Sequence, residues 1–179
     1  MLSPEVGLAY VYCNYKEQAS QTLTDLLACV IQQLIKKRGG VPKDVFAMYQ
    51  IHKSQGTRPS RAEYSKMLRS ISNMFSQVYI VIDALDECDE NSDTRRDLIS
   101  EFTNDAANWQ LFCTSRHLGD IEEIFKGTPR LEIRASDEDV RIYLEEQIKS
   151  QGRLGDFCKK DEALKDVIIQ NISDNAKGM

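Results

Sequence analysis

The feature that most constrains the fold of this chain is a continuous apolar run that ends in a cluster of carboxylates. Residues 78–85 read VYIVIDAL. This run is too short for a buried helix and predicts a strand that is buried on both faces, as in a parallel sheet. Residues 83–90 then hold five carboxylates, which repel one another unless a cation or water surrounds them. The surroundings of this strand end therefore decide most of what can be inferred about function.

The rest of the chain alternates between strand-like and helix-like patterns. Residues 7–15 and 109–115 are apolar and rich in β-favouring side chains, and residues 130–135 alternate, so each segment predicts a strand. Apolar residues at steps of three and four predict an amphipathic helix over residues 20–38. Further helices are expected at residues 42–52, 60–75, 91–107, 120–126, 136–150 and 161–175. This order predicts right-handed crossovers and an α/β layered fold with a mostly parallel sheet.

Two of the helices begin with capping signals. Ser60 is followed three residues later by Glu63, which predicts a capping box. Ser136 precedes Glu138 and Asp139, whose carboxylates suit the positive end of a helix dipole. We therefore expect both serines to stand at helix N-termini.

Length and charge narrow the class of protein. With 179 residues, the chain is long enough for one domain with a single core. Its net charge of −5 argues against a general affinity for nucleic acid or for anionic membranes. The N-terminus does not have the pattern of a signal peptide, and no apolar run reaches the roughly 20 residues that span a bilayer. We therefore expect a cytoplasmic chain with no nucleic-acid partner and no membrane partner.

The cysteines are scattered rather than paired. The chain has five, with no CxxC motif, at Cys13, Cys29, Cys88, Cys113 and Cys158. Because the chain also has only two histidines, this pattern argues against a zinc site and favours free thiols in a reducing compartment. Cys88 and Cys113 lie near the predicted strand ends but have no paired histidine to activate them. We interpret both as structural.

Two charged residues follow the ends of two predicted strands. Asp83 ends the strand at 78–82 and Arg116 follows the strand at 109–115. Ligands of open parallel sheets bind at the carboxyl ends of the strands, so both side chains are expected to face one crevice. A nucleoside triphosphatase needs this placement. One aspartate holds Mg²⁺, a second carboxylate orients or deprotonates the attacking water, and an arginine contacts the γ-phosphate.

These segments resemble the NACHT-type NTPases of the signal-transducing STAND class. The sequences IVIDALDE and LFCTSR look like the Walker B and sensor-1 motifs of that class. The resemblance is closest to forms common in fungi, which are related to heterokaryon-incompatibility proteins and to the nephrocystin-like N-terminal domain. AYVYCNYKEQ resembles the second strand of the family, SDEDVRIYL the segment after its fifth strand, and ISDNAKGM the start of its GMFLW-like helix.

The resemblance implies a role for each matching residue. Asp83 would bind Mg²⁺, and Asp86 and Glu87 would position the hydrolytic water, with Glu87 as the base. Arg116 would be the sensor arginine. The implied fold is a P-loop NTPase three-layer sandwich with strand order 5-1-4-3-2. The implied function is a switch, in which ATP or GTP with Mg²⁺ holds one arrangement of domains that oligomerises to signal.

The sequence departs from this family at the P-loop. The family holds the phosphates with GxxxxGK[ST], and this sequence contains no GK[ST]. Family members carry the loop and its strand just before the segment matched here by residues 7–15. We therefore expect a truncated module, with a partial NTPase core at residues 1–135 and the start of the following helical region at residues 136–179. The strand at 109–115 would then have a bare edge, and the strand at 130–135 would lose its native neighbour.

Other functions stay open from the sequence. The four site residues could be ordinary strand-end residues, and the chain could be a non-enzymatic module that binds a protein partner or a second copy through the exposed sheet edge. A further alternative is a Mg²⁺-dependent phosphohydrolase or nuclease that uses Asp83, Asp86 and Glu87 without a P-loop. Because the main phosphate cradle is missing, we expect nucleotide binding by this chain to be weak or absent, and we expect little or no nucleotide hydrolysis by this chain alone.

Overall fold

The structure is a computed structural model that describes residues 5–18, 20–89, 93–103 and 108–176. These residues form a mixed α/β fold with a three-stranded parallel sheet and eight α-helices. The strands are β1 (Val6–Tyr12), β2 (Gln77–Asp83) and β3 (Trp109–Cys113). The helices are α1 (Leu23–Arg38), α2 (Lys43–Gln55), α3 (Arg61–Ser72), α4 (Thr94–Thr103), α5 (Gly119–Ile124), α6 (Asp137–Ser150), α7 (Gly152–Lys160) and α8 (Glu162–Ala176).

The chain divides into two compact units, Met1–Lys126 and Gly127–Met179. We call them unit 1 and unit 2. Unit 1 holds the whole sheet and helices α1 to α5, and unit 2 holds helices α6 to α8. No helix among the described residues is both long enough and apolar enough to cross a membrane.

The sheet has the order β1-β2-β3, so β2 is its central strand. All pairs are parallel, with Val78 opposite Gly7 on one side and opposite Trp109 on the other. The sequence predicts these three strands and their parallel arrangement, and both predictions are confirmed. Helices α1 to α3 connect β1 to β2, and α4 connects β2 to β3. Long crossovers of this kind are what parallel strands require.

The two faces of the sheet differ in burial. On one face, Ala9, Val11, Val78, Ile80 and Ile82 are buried and join one cluster with the apolar sides of the helices. Helix α1 supplies the fully buried side chains of Leu27, Val30 and Leu34 to this cluster. Each such side chain contributes about 1.5–3 kcal/mol of transfer free energy. On the other face, the large apolar side chains are exposed, at Leu8, Tyr10, Tyr12, Tyr79 and Phe112.

The capping signals of two helices are confirmed. The Ser60 side chain accepts a hydrogen bond from the Glu63 N–H, and Glu63 accepts one from the Ser60 N–H, so helix α3 begins with a capping box. Ser136 and Asp139 form the same reciprocal pair at the start of α6. These contacts satisfy N–H groups that have no partner within the helix.

The predicted strand at residues 130–135 is wrong, because these residues belong to no strand or helix. Leu131 and Ile133 are 84% and 85% exposed. A strand is stable only where a neighbouring strand pairs with its backbone and a packed layer covers one of its faces. The alternating pattern supplies apolar side chains but neither of these conditions.

Unit 2 contains a helix that the sequence analysis does not predict. Helix α7 follows α6 directly and carries two glycines, Gly152 and Gly155, which normally indicate a loop. A Cβ atom at Gly155 would lie 2.8 Å from the Ile148 carbonyl oxygen, so the glycine permits close approach to the end of α6. The apolar cluster of this unit is formed by Ile148, Cys158 and Ile169.

Candidate functional site

The carboxyl end of β2 leads into a tight turn, which we call the acidic loop (residues 83–88). Ala84 has a left-handed backbone with φ of 54°, and a 3₁₀ turn follows at Leu85–Glu87. A non-glycine residue in this conformation is strained and needs support from its surroundings. Leu85 provides it, because its side chain is fully buried and its N–H donates to the Thr114 carbonyl at 2.9 Å. The loop is thus anchored over the end of β3.

Asp83 is held by Thr114, a residue that the sequence analysis does not single out. The Thr114 hydroxyl donates to Asp83 Oδ1 at 2.5 Å and accepts a hydrogen bond from the Ala84 N–H at 2.9 Å. One hydroxyl therefore fixes both the carboxylate and the turn that follows it. The signal in the sequence is the position of Thr114, directly after a strand that lies next to β2.

Asp86 and Arg116 form an ion pair that is reinforced by a backbone hydrogen bond. The Arg116 Nε donates to Asp86 Oδ2 at 2.5 Å, and the Arg116 backbone N–H donates to Oδ1 at 3.1 Å. The Asp86 side chain is only 5% exposed, whereas that of Arg116 is 78% exposed. Burial acts to raise the pKa of Asp86, but the hydrogen bonds from Arg116 outweigh it and lower this pKa. Asp86 is therefore charged at neutral pH, and the outer part of the guanidinium faces solvent.

Glu87 contacts the segment that follows β1. Its carboxylate accepts a hydrogen bond from the Tyr15 N–H at 3.1 Å, and its carbonyl accepts one from Gln18 Nε2 at 3.0 Å. Glu87 thus lies at the same end of the sheet as Asp83 and Asp86, but in this structure it binds protein backbone.

The buried side chain of Arg95 forms hydrogen bonds with backbone carbonyl groups of the acidic loop. Arg95, at the start of α4, is 4% exposed and donates to the carbonyls of Leu85, Asp86 and Cys88 at 2.9–3.2 Å. Its Nη1 also donates to Asp120 at 2.6 Å. Arg95 is not among the residues predicted from the sequence. A signal exists, because Arg95 precedes Leu98, Ile99 and Phe102 on the apolar face of α4 at helical spacing.

Two cysteines meet beneath the same loop. Cys13, just after β1, and Cys88, at the end of the acidic loop, are both buried and have their Sγ atoms 3.1 Å apart. Cys113 lies at the end of β3, and burial raises its pKa to about 12. The interpretation of Cys113 as an inert structural thiol agrees with this raised pKa.

The carboxylates at this end of the sheet differ in how many hydrogen bonds they already accept. Among the described residues, no group of three Asp, Glu, His or Cys side chains could hold a metal ion. Mg²⁺ needs fewer protein ligands in nucleotide sites, where water and substrate phosphates complete its shell. Asp83 fits this use, since only one of its carboxylate oxygens has a hydrogen-bond partner in the described part of the chain. Asp86 and Glu87 fit less well, because both carboxylates already accept N–H groups.

Comparison with known protein families identifies the chain. The family described as nephrocystin 3, N-terminal, matches residues 2–116. The chain belongs to this family. The match includes all three strands of the sheet, the acidic loop and Arg116. A search of curated proteins finds no match.

The structure therefore brings the four residues singled out in the sequence to one end of the sheet. Asp86 and Arg116 bind each other, while Asp83 binds Thr114 and Glu87 binds the backbone of Tyr15. The catalytic roles of Glu87 and Asp86, the Mg²⁺ role of Asp83 and the sensor role of Arg116 stay predictions.

Proposed function

We propose that this chain is the Mg²⁺- and nucleotide-facing part of a NACHT-type switch, which uses ATP or GTP to change the arrangement of its domains. The supporting observation is that Asp83, Asp86, Glu87 and Arg116 meet at the carboxyl edge of a parallel sheet. Ligands of open α/β sheets bind at this edge. The nephrocystin 3 N-terminal match is compatible with the proposal because it spans all four residues.

In this proposal Arg116 exchanges one anionic partner for another. In the structure, its Nε donates to Asp86. A γ-phosphate carries more charge than a carboxylate and can bind the guanidinium in a bidentate manner, so it would compete with Asp86 for Arg116. The released Asp86 carboxylate could then accept a hydrogen bond from the attacking water, beside Glu87. In the Asp86–Arg116 pair, each group neutralises the charge of the other.

Asp83 would hold Mg²⁺, which supplies neutralisation of the phosphate charge when it is bound. The hydrogen bond from Thr114 keeps the Asp83 carboxylate oriented at the strand end. Residues that are oriented in advance lose less entropy on binding. Thr114 is therefore a positioning residue in this scheme.

Hydrolysis by this chain alone should be slight. The sequence contains no GK[ST], and P-loop backbone N–H groups and lysine provide the usual phosphate cradle. Glu87→Gln should consequently leave any residual hydrolysis rate unchanged. A substantial rate that Glu87→Gln abolishes would show that the chain is a complete catalyst and would contradict this expectation.

The nucleotide-binding proposal can be tested by titration with a fluorescent ATP analogue, with and without Mg²⁺. We expect Mg²⁺-dependent binding that Arg116→Ala weakens about tenfold or more, because a charge-assisted hydrogen bond is lost. Asp83→Asn should remove the Mg²⁺ dependence. Arg96→Ala is the matched control, since Arg96 is also an exposed arginine paired with an aspartate. No binding at millimolar nucleotide would overturn the proposal for this chain.

Self-association through the sheet edge is the second candidate function, and a difference between the two edges favours it. At β1, Gln33 exchanges two hydrogen bonds with the Tyr10 backbone, and Gln21 donates to the Tyr12 carbonyl. These side chains occupy the backbone groups that an added strand would need. Edge strands without such protection are templates for pairing with another chain.

The outer edge of β3 has no comparable protection. The N–H and C=O of Thr114 point towards β2, so the backbone groups of Trp109, Leu111 and Cys113 point away from it. No described residue of unit 1 forms a hydrogen bond with them, and the strand sequence WQLFC carries no charge that would repel a second copy. Antiparallel pairing of two copies about Leu111 would satisfy these groups.

Light scattering after size exclusion, without nucleotide, tests this candidate. We expect a dimer that Phe112→Lys converts to a monomer, because a charge on an edge strand opposes pairing. Tyr12→Lys, on the protected edge, should stay dimeric. The two wild-type side chains are 62% and 63% exposed, which makes the variants well matched. A monomeric wild-type protein, or equal behaviour of both variants, would contradict edge pairing.

A further inference from the structure

The buried pair Cys13 and Cys88 has the geometry of a reversible redox site. Their Sγ atoms are 3.1 Å apart, although 75 positions separate the residues in the chain. A disulfide needs an S–S distance near 2.05 Å, so the sulfurs would approach each other by about 1 Å. The Cys13 N–H donates to the Asp83 carbonyl at 3.0 Å, and the Cys88 N–H donates to the Leu85 carbonyl at 3.2 Å. Both backbones are therefore held where the sulfurs face each other.

The surroundings make the two thiols unequal. The hydrogen bond that the two thiols share and the nearby charge of Arg95 lower the pKa of Cys88, against the opposing effect of burial. The same hydrogen bond, together with burial, raises the pKa of Cys13. Arg95 is fixed close to Cys88, since its Nη2 donates to the Cys88 carbonyl at 3.2 Å. A cation beside a thiol favours the thiolate, which is the reactive form. Arg95 thus supplies the activation that no histidine provides.

We propose that Cys13 and Cys88 form a disulfide on exposure to peroxide and that thiols reverse it, so that this pair is a redox modification site next to the acidic loop. The Cys88 thiolate attacks one peroxide oxygen, the O–O bond breaks, and the sulfur becomes a sulfenic acid while the other oxygen leaves as water after protonation. The Cys13 sulfur then attacks the Cys88 sulfur, the S–O bond breaks and a second water leaves. Overall, two thiols and one hydrogen peroxide give one disulfide and two waters.

The bond would join the end of β1 to the end of the acidic loop. Glu87, which precedes Cys88, already contacts the Tyr15 N–H, and the cross-link would hold the loop in this position. It would also prevent any displacement of the loop away from β1. Disulfides in reducing compartments are typically transient and redox-sensing, and a buried pair beside a charged loop suits that use. This chemistry does not depend on nucleotide binding.

Peptide mapping can test the proposal on the wild-type chain. Trypsin cleaves after Lys16, Arg69 and Arg95, so Cys13 and Cys88 fall in peptides 1–16 and 70–95, each with a single cysteine. After peroxide treatment and alkylation, we expect these peptides to be linked, with the loss of two free thiols and two hydrogen atoms. Dithiothreitol should restore both thiols. Cys29→Ser should behave in the same way, since Cys29 is exposed and its sulfur accepts a hydrogen bond from Gln33 instead of contacting the pair.

Two results would overturn the proposal. One is that Cys13 and Cys88 remain open to alkylation when exposed Cys29 is fully oxidised. The other is that Cys88 proceeds to sulfinic acid while Cys13 stays a free thiol.

Dimedone, which traps sulfenic acids, tests which of the two thiols reacts first with peroxide. In Cys13→Ser the adduct should form on Cys88, whereas in Cys88→Ser little adduct should form on Cys13. The reverse pattern would refute the assignment of Cys88 as the attacking thiol.

Discussion

The central strand β2 and the segment at residues 130–135 lie in contrasting surroundings. β2 pairs with a strand on each side, and Val78, Ile80 and Ile82 are buried against the helices. In the other segment, Leu131 and Ile133 are exposed and no strand forms. Both segments have apolar side chains at strand spacing. Hydrogen-bonding neighbours and a covering layer are therefore needed, in addition to the pattern, for such a sequence to form a strand.

The largest expected difference between these regions is in amide hydrogen exchange. Amides in core strands open only by global unfolding, whereas those outside regular structure open at little cost. For a stability of about 5 kcal/mol or more, the β2 amides should exchange at least about a thousandfold more slowly than those of residues 130–135. Exchange measured by mass spectrometry or NMR checks this ratio. Equal protection of both segments would contradict the assignment of β2 to the core and of residues 130–135 to an exposed segment without regular structure.

The two segments should also differ in how much the truncation of an isoleucine lowers the free energy of unfolding. Ile80 in β2 is 1% exposed, and Ile80→Ala should lower the free energy of unfolding by about 2–5 kcal/mol through lost burial and a cavity. Ile133→Ala, which makes the same chemical change at an exposed position, should alter it by less than about 0.5 kcal/mol. Urea denaturation followed by circular dichroism measures both. Similar losses for the two variants would contradict the description of residues 130–135.

Arginines allow the same comparison for polar contacts. Arg95→Met removes the donors to three loop carbonyls and should cost about 2 kcal/mol, because buried acceptors lose their partners. Arg134 sits in the 130–135 segment and binds Glu132 at the surface, so Arg134→Met should have little effect. Denaturation curves of the two variants test this. A neutral Arg95→Met would mean that water replaces the arginine under the loop.

The smallest expected effect is on acid sensitivity. Hydrogen bonds from Arg116 outweigh burial and lower the pKa of Asp86. A carboxylate with a lowered folded-state pKa contributes stability above its unfolded pKa of about 3.9, and this contribution is lost as the pH falls through the folded value. Asp86→Asn should therefore reduce stability at neutral pH and flatten its decline below about pH 4.

Glu132→Gln, in the exposed segment, is the control for this measurement. It should reproduce the wild-type decline in thermal melts between about pH 2 and pH 5. An unchanged slope in Asp86→Asn would show that the Asp86–Arg116 pair contributes nothing to acid stability.

Local signals explain why so much of unit 1 is predictable. The apolar run before Asp83 and the periodic apolar residues of α1 each depend on neighbours in sequence, as does the capping box of Ser60 and Glu63. Parallel strands then place their carboxyl ends at one edge. That is why the amino-acid sequence alone is enough to group the four charged residues at the strand ends, Asp83, Asp86, Glu87 and Arg116.

The amino-acid sequence is thus enough to predict three strands, most helices and the end of the sheet where charged residues gather. Which of these groups are in contact depends on how the elements pack. The tertiary structure placed Arg95 under the acidic loop and Cys13 against Cys88, and it left residues 130–135 outside any strand. The reason lies in how far apart along the chain the interacting residues are. Periodicity and capping depend on residues a few positions apart, whereas these contacts join positions that only the packing of separate elements brings together.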